Sequence, residues 1–283
     1  MTKRLFINLA RDIVAVFAVL TFLTVPCYAK AETYIIARAP QSNPLKLAKA
    51  WKPLVDHLNK STDAQFELKL YKNRADFEKH VFNGEPDLVF FNGFYLTLAE
   101  EKQGYTALIR SNAKKLKGIV VAAKDSSIKT IDDLKGKTVA FPSPNALGAS
   151  LYIRALFDQK SISPVTPVYL GTHDNVYLSI IKGKAAAGGG VYRTFNSQNA
   201  KIRDKLKVIY ETPGLSPHPL AVHPRVPEKI RNQIVEAILE LSKTEEGKAI
   251  LAAVKLKNPV RADTKGDYSI ITELNLKQYS TYK

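Results

Sequence analysis

The stretch Asp87-Leu88-Val89-Phe90-Phe91-Asn92-Gly93-Phe94-Tyr95 decides the fold. Residues 88–91 form an unbroken apolar run of strand length, the pattern of a strand covered on both faces. A helix from about residue 94 to 102 follows at once, so the segment reads as strand, turn and helix. Working outward, the same alternation recurs. Residues 34–39 are β-prone, and Asn43-Pro44 reads as a helix N-cap and first helical residue. Leu47, Ala48, Trp51, Leu54, Val55 and Leu58 then fall on one helical stripe, which places Trp51 in a core. Residues 66–71 alternate as a strand, and 74–82 form a helix stopped by Asn83-Gly84. Beyond Gly118 come strands over 119–123, 137–141, 168–170, 185–191 and 206–210. Helices over 146–159, 175–182 and near Tyr192 are interleaved with them, and residues 130–133 resemble a capping box that opens one turn. Pro227 opens a long helix faced by Ile230, Ile234, Ala237, Ile238 and Leu241, and the chain after Asn258-Pro259 reads as irregular. Repeated βαβ units of this size imply an α/β protein of mostly parallel sheets flanked by helices.

The N-terminus predicts export. Lys3, Arg4 and Arg11 precede an apolar run at residues 13–25, and Ala29-Lys30-Ala31 has the small residues that a signal peptidase reads. The run is shorter than the roughly 20 residues a spanning helix needs. Residues 1–31 are therefore expected to be a cleaved signal peptide and the protein to act in the periplasm. Lipid attachment at Cys27, the sole cysteine, is the weaker reading because Thr24-Val25-Pro26 before it matches the usual box poorly. Cleavage after Ala31 leaves no cysteine, hence no disulfide, thiolate metal site or cysteine nucleophile. The formal charge is +16, and residues 1–31 hold four basic residues and one acidic, which leaves the remainder at +13. Apart from Lys114-Lys115-Leu116-Lys117 the basic residues are dispersed, with no basic helix carrying interleaved aromatics. No nucleic-acid partner is expected; a positive field that attracts small anions fits better. The sequence has no Gly-x-Ser-x-Gly, no His-Glu-x-x-His and no phosphate-binding P-loop, so no enzymatic activity, cofactor or metal is expected.

In open α/β sheets ligands bind beyond the carboxyl ends of strands, where helix N-termini present free N–H groups. The strand ends here carry Gln41-Ser42, Asn92 to Tyr95, residues 142–148, Gly171-Thr172-His173-Asp174 and Gly188-Gly189-Gly190-Val191-Tyr192-Arg193. The glycines suggest close approach of a ligand to backbone. Asp-Leu-Val-Phe-Phe-Asn-Gly-Phe-Tyr at 87–95, Asp-Leu-Lys-Gly-Lys-Thr-Val-Ala-Phe at 133–141 and Gly-Thr-His-Asp at 171–174, in this order and spacing, resemble the phosphonate/phosphite/phosphate-type periplasmic binding proteins of ABC importers. The similarity runs from about Tyr34 to Leu251.

The resemblance implies a two-lobed, Venus-flytrap α/β fold with two hinge crossings. One lobe would comprise residues 32–116 and 215–283, the other 117–214. It implies a small anionic ligand in the cleft, held by Tyr95 from one lobe and by loop 143–148 and His173 from the other. It also departs from the family pattern. The hydroxyl-rich Ser-Thr-Ser-Gly loop is here Asn145-Ala146-Leu147-Gly148, and Ala186 stands where the family has an aspartate. Candidate ligand residues are therefore Gln41, Ser42, Asn92, Tyr95, Asn145, Ala146, Leu147, His173, Asp174, Tyr192 and Arg193, while His218 and His223 receive no role. The expected function is delivery of a small oxyanion, by a monomer, to an inner-membrane ABC permease. The alternative is a sensory protein that presents its solute to a membrane sensor kinase or chemoreceptor.

Overall fold

The structure, a computed structural model, describes residues 32–40, 44–163 and 165–282. The expected signal peptide with Cys27, and the candidates Gln41 and Ser42, lie outside the described residues. Two mixed sheets organise the chain. The first takes β1 (Thr33–Arg38), β2 (Gln65–Leu70), β3 (Leu88–Phe90), β4 (Thr106–Ser111), β10 (Pro219–Val222) and β11 (Pro259–Arg261), in the order β11-β4-β10-β3-β1-β2. The second takes β5 (Gly118–Ala123), β6 (Thr138–Phe141), β7 (Thr166–Tyr169), β8 (Ala187–Val191) and β9 (Leu206–Glu211), in the order β7-β6-β8-β5-β9. β1 pairs in parallel with β2 and β3, and β6 with β7 and β8. The reversed strands are β5, β10 and β11. β5 and β10 are the strands that receive the chain after each passage between the sheets. The two passages are themselves stitched, since Leu116 and Leu215 exchange backbone hydrogen bonds of 2.8 and 2.9 Å.

Helices cover both faces of each sheet by burying apolar side chains against it. On one face of the first sheet lie α1 (Pro44–Ser61), α8 (Glu228–Leu241) and α9 (Glu245–Ala253), whose Trp51, Leu54, Ile234 and Leu251 pack with Ile36, Phe90 and Leu220. On the other lie α2 (Arg74–Phe82), α3 (Gly93–Gln103) and α10 (Thr264–Glu273), whose Phe77, Phe94 and Tyr268 pack with Ala37, Val89 and Phe91. The second sheet carries α4 (Tyr152–Gln159) on one face and α5 (His173–Ile181) on the other. α6 (Tyr192–Asn196) and α7 (Ala200–Arg203) are short. Among the described residues no helix is long and apolar enough to cross a membrane.

The structure differs from the sequence reading in several places, and β4, β10 and α9 form where it named no element. The segment after Pro259 is not irregular: it forms β11 and α10, the latter capped by Asp263 and held by the burial of Tyr268 and Ile271. The expected helix over 146–159 begins instead as one π-helical turn, Leu147–Leu151, before α4. In it both Ser150 and Leu151 donate to the Ala146 carbonyl, at 2.8 and 3.0 Å. The wide turn lies directly on strand backbone. A Cβ on Gly118 would collide with the Gly148 carbonyl, and one on Gly189 with the Ala149 carbonyl. Those glycines admit a neighbouring turn, not a ligand.

Candidate functional site

Strand alternation puts Arg38 on the same face of the first sheet as Ile36, at the carboxyl end of β1. It is 2% exposed. Its Nη1 donates to the Ala39 carbonyl at 2.6 Å, and its guanidinium lies 5.0 Å from the centre of the Phe90 ring. His218 faces the same ring, at 6.0 Å. It can do so because β10 runs opposite to β3, so the residues leading into β10 sit where β1 and β3 end. Lys255, in the left-handed region with φ of 67°, joins them from the turn after α9.

From the second sheet come His173 and Arg193. Thr172 ends the β7–α5 connection by accepting a hydrogen bond from the Asn175 N–H at 3.2 Å, which makes His173 the first residue of α5. The His173 Nδ1 is buried with no hydrogen-bond partner among the described residues, and its ring lies 6.3 Å from that of Tyr177. Arg193 follows the end of β8 and is exposed.

Electrostatics connect the two sets. Burial first, then Arg193 and Arg74, lower the Arg38 pKa to about 10. Burial, then Arg38 and Arg193, lower that of Lys255 to about 8. His218 is pushed down to about 3 by burial and then by Lys255, Arg38 and Arg193. His173 is lowered by burial and by Arg193, against a smaller opposing effect of Asp174. One cation of the second sheet thus acts on three groups of the first. Each of these groups is less readily charged than it would be alone, and an anion placed among them would reverse that penalty. Both histidines are held neutral near pH 7, where each ring offers one N–H donor and one acceptor.

The other described candidates are engaged in other contacts. Asn92 is the N-cap of α3, accepting from the Tyr95 N–H at 3.0 Å. Tyr95 is 1% exposed, ringed by Phe77, Phe82, Phe94 and Tyr282. Its hydroxyl donates to Glu78 and accepts from Arg74. Asn145 spends its side-chain amide on Thr281, donating at 2.7 Å and accepting from the backbone N–H at 3.0 Å. Leu147 is buried in the cluster that holds Tyr95, Val89 and Phe91, on the face away from Arg38; Ala146 precedes it. Asp174 is exposed and accepts from Gln198 at 2.7 Å. Tyr192 is exposed and hydrogen-bonded to Glu211, which Lys117 also contacts. Arg193 thus lies within electrostatic reach of His173 and of Arg38, His218 and Lys255, the last three of which the sequence reading did not single out. Arg38 left one trace: a charged residue at an inward position of an otherwise apolar strand. His218 and Lys255 left none.

A separate cavity of about 590 Å³ lies beside the two passages, bordered by Arg110, Lys114, Tyr152, Leu156 and Ile270 among others, and shares none of the five residues. No group of three or more His, Cys, Asp or Glu side chains suited to a metal occurs among the described residues.

The family model described as "ABC transporter, phosphonate, periplasmic substrate-binding protein" matches residues 36–268. The phosphate-import protein PhnD of Mycolicibacterium smegmatis is 22% identical over 241 residues, which cover 76% of this chain and 75% of that protein. Among solved structures, PhnD1 of Prochlorococcus marinus in complex with methylphosphonate superposes with a TM-score of 0.70 at 20% identity, covering 87% of this chain and 98% of that one. A Xanthomonas citri protein bound to chloride gives a TM-score of 0.75 at 13% identity, with the same coverage.

Proposed function

Because the chain belongs to the periplasmic substrate-binding proteins of phosphonate ABC transporters, we propose that it binds a phosphonate- or phosphate-like oxyanion between its two sheets. The reading is carried by the buried Arg38 guanidinium and His218 meeting at the Phe90 ring at the carboxyl end of β1, with Arg193 of the second sheet acting on both and on Lys255. The relatives named for phosphate import and crystallised with methylphosphonate support the same ligand class. Loop 145–148 lacks the hydroxyls of the family pattern, and its Leu147 is committed to packing. Charge replaces them in this reading. Hydrogen bonds from guanidinium or ammonium to an oxyanion are roughly twice as strong as neutral ones, so two or three cations compensate for the missing hydroxyls. The neutral His173 and the N-terminus of α5 add donors without further repulsion.

The lobes are residues 32–116 with 215–283, and 117–214. Ligand between them favours their closure, and the closed form is what the transporter's permease receives. The protein acts as a monomer, and export removes residues 1–31. Mass spectrometry of the exported protein gives the mass of a chain starting at Glu32; a lipid-modified chain starting at Cys27 contradicts this.

A thermal-shift screen over inorganic phosphate, phosphite, methylphosphonate, sulfate and small carboxylates, with neutral and cationic solutes as controls, tests the ligand class. A ligand at a hundred times its Kd adds about 2.7 kcal/mol to stability. A shift with phosphorus oxyanions is expected. A shift confined to a neutral or cationic solute overturns the proposal.

A further inference from the structure

Residues 275–282 cross between the two sheets' domains and back. The segment leaves α10 at Asn275, in the left-handed region with φ of 46°. Leu276 is buried in a cluster that both domains share, with Phe94 and Tyr95 of the first and Leu147 and Tyr152 of the second, and the Lys277 ammonium meets Glu101 of α3 at 2.8 and 3.0 Å. The next residues bond to the other domain. The Tyr279 carbonyl accepts from Arg154 Nη2 at 2.6 Å, and the same nitrogen donates to the Pro144 carbonyl at 2.6 Å. The Tyr279 hydroxyl donates to Asp158 at 2.6 Å, while the Arg154 guanidinium sits 5.7 Å from the Tyr279 ring centre. Thr281 and Asn145 are joined by two hydrogen bonds. Tyr282 then returns, with its ring edge-on to Phe82 at 5.5 Å and to Tyr95 at 6.2 Å.

We propose that residues 275–282 form a clasp that holds loop 142–147 against the first domain and so sets how readily the two domains part. Asn145 is then a positioning residue, acting through Thr281. Anchors at Lys277 and Tyr282 on one side, at Tyr279 and Thr281 on the other, and at Leu276 in the cluster they share, are satisfied together only while the domains stay together. The clasp therefore favours the closed population before any ligand arrives, which raises affinity by reducing the cost of closure. The link to affinity rests on the ligand lying between the domains; the link to opening does not.

Two variants test it in the full chain. Asn145→Leu removes both bonds to Thr281, and Thr281→Val, the milder change, removes only the hydroxyl. Small-angle X-ray scattering without ligand reads opening, and the dissociation rate of methylphosphonate reads holding. Both variants are expected to show a larger ligand-free radius of gyration and dissociation faster by about ten-fold, a typical coupling between distant sites. Thr281→Ser, which keeps the hydroxyl, is expected to behave as the parent. A lowered Tm with unchanged scattering and unchanged dissociation would reduce the segment to ordinary packing and overturn the clasp. If the parent binds neither methylphosphonate nor inorganic phosphate, the ligand reading fails while the scattering result still decides the clasp: expansion supports it and an unchanged radius overturns it.

Discussion

Burying a guanidinium beside other cations costs free energy, and Arg38 is 2% exposed with Arg74 and Arg193 acting on it. The proposed function assigns this arrangement to binding. Arg193→Gln should therefore weaken phosphate binding about 10- to 100-fold, the worth of one charge-assisted hydrogen bond. In low salt its urea midpoint should equal or exceed the parent's, since repulsion on Arg38, His218 and Lys255 is relieved. The pH dependence follows from the same groups. Unfolded, His218 titrates near 6.5; folded, near 3. Between those values the unfolded chain takes up a proton that the folded one refuses, so stability falls as pH drops from about 6.5 toward 3. His173 acts in the same direction. His218→Asn should flatten part of that decline in urea midpoints measured from pH 7 to 4. Lys255 gives the opposite limb. Its pKa falls from 10.5 to about 8, so stability gains as pH rises between them while the site loses a positive charge. Phosphate affinities of the parent and of Lys255→Gln, measured by calorimetry, should converge well above pH 8.

At the scale of elements, α3 separates a cap from a ligand contact. Asn92→Ala removes the bond to the Tyr95 N–H and should cost about 1 kcal/mol of stability while leaving affinity for phosphate unchanged. A large loss of affinity with little loss of stability would instead put Asn92 in the site. Gly189→Ala forces a methyl into the Ala149 carbonyl and the Phe141 ring, and chemical denaturation should register a loss of about 1–3 kcal/mol. The elements most legible in the sequence were those whose own residues carry the period. The α1 stripe buries Leu47, Trp51, Leu54, Val55 and Leu58 as expected, and the apolar run at 88–91 became β3 and its following residue. α10 was not legible because only Tyr268 and Ile271 of its ten residues are buried, and its neighbour α3 supplies the packing. β10 and β11 hold four and three residues, too few to show a period, and exist by pairing with β3 and β4. The π turn was hidden because its cause, close contact with Gly118 and Gly189, lies on other strands.

For the whole molecule, alternation of strands and helices was enough to read two helix-covered sheets. Of the residues collected by the rule that ligands gather at strand ends, His173 and Arg193 belong to the proposed site, while Asn92 caps α3, Tyr95 packs among aromatic rings and Asn145 bonds to Thr281. The distinction needs the surroundings of the first sheet: Arg38 lies over Phe90, Tyr95 packs in the cluster on the other face, and Arg74, which donates to the Tyr95 hydroxyl, acts on Arg38 as well. His218 and Lys255 reach Arg38 only through the reversal of β10 and the turn after α9, and no spacing in the chain records that meeting. The proposed site holds one anion. Crystals grown with arsenate in place of phosphate would locate it by anomalous scattering. The predicted result is an arsenic peak between Arg38, Lys255 and Arg193, with His173 in contact; a peak beside Tyr95 and loop 142–147 instead, or no peak between the sheets at all, would contradict it.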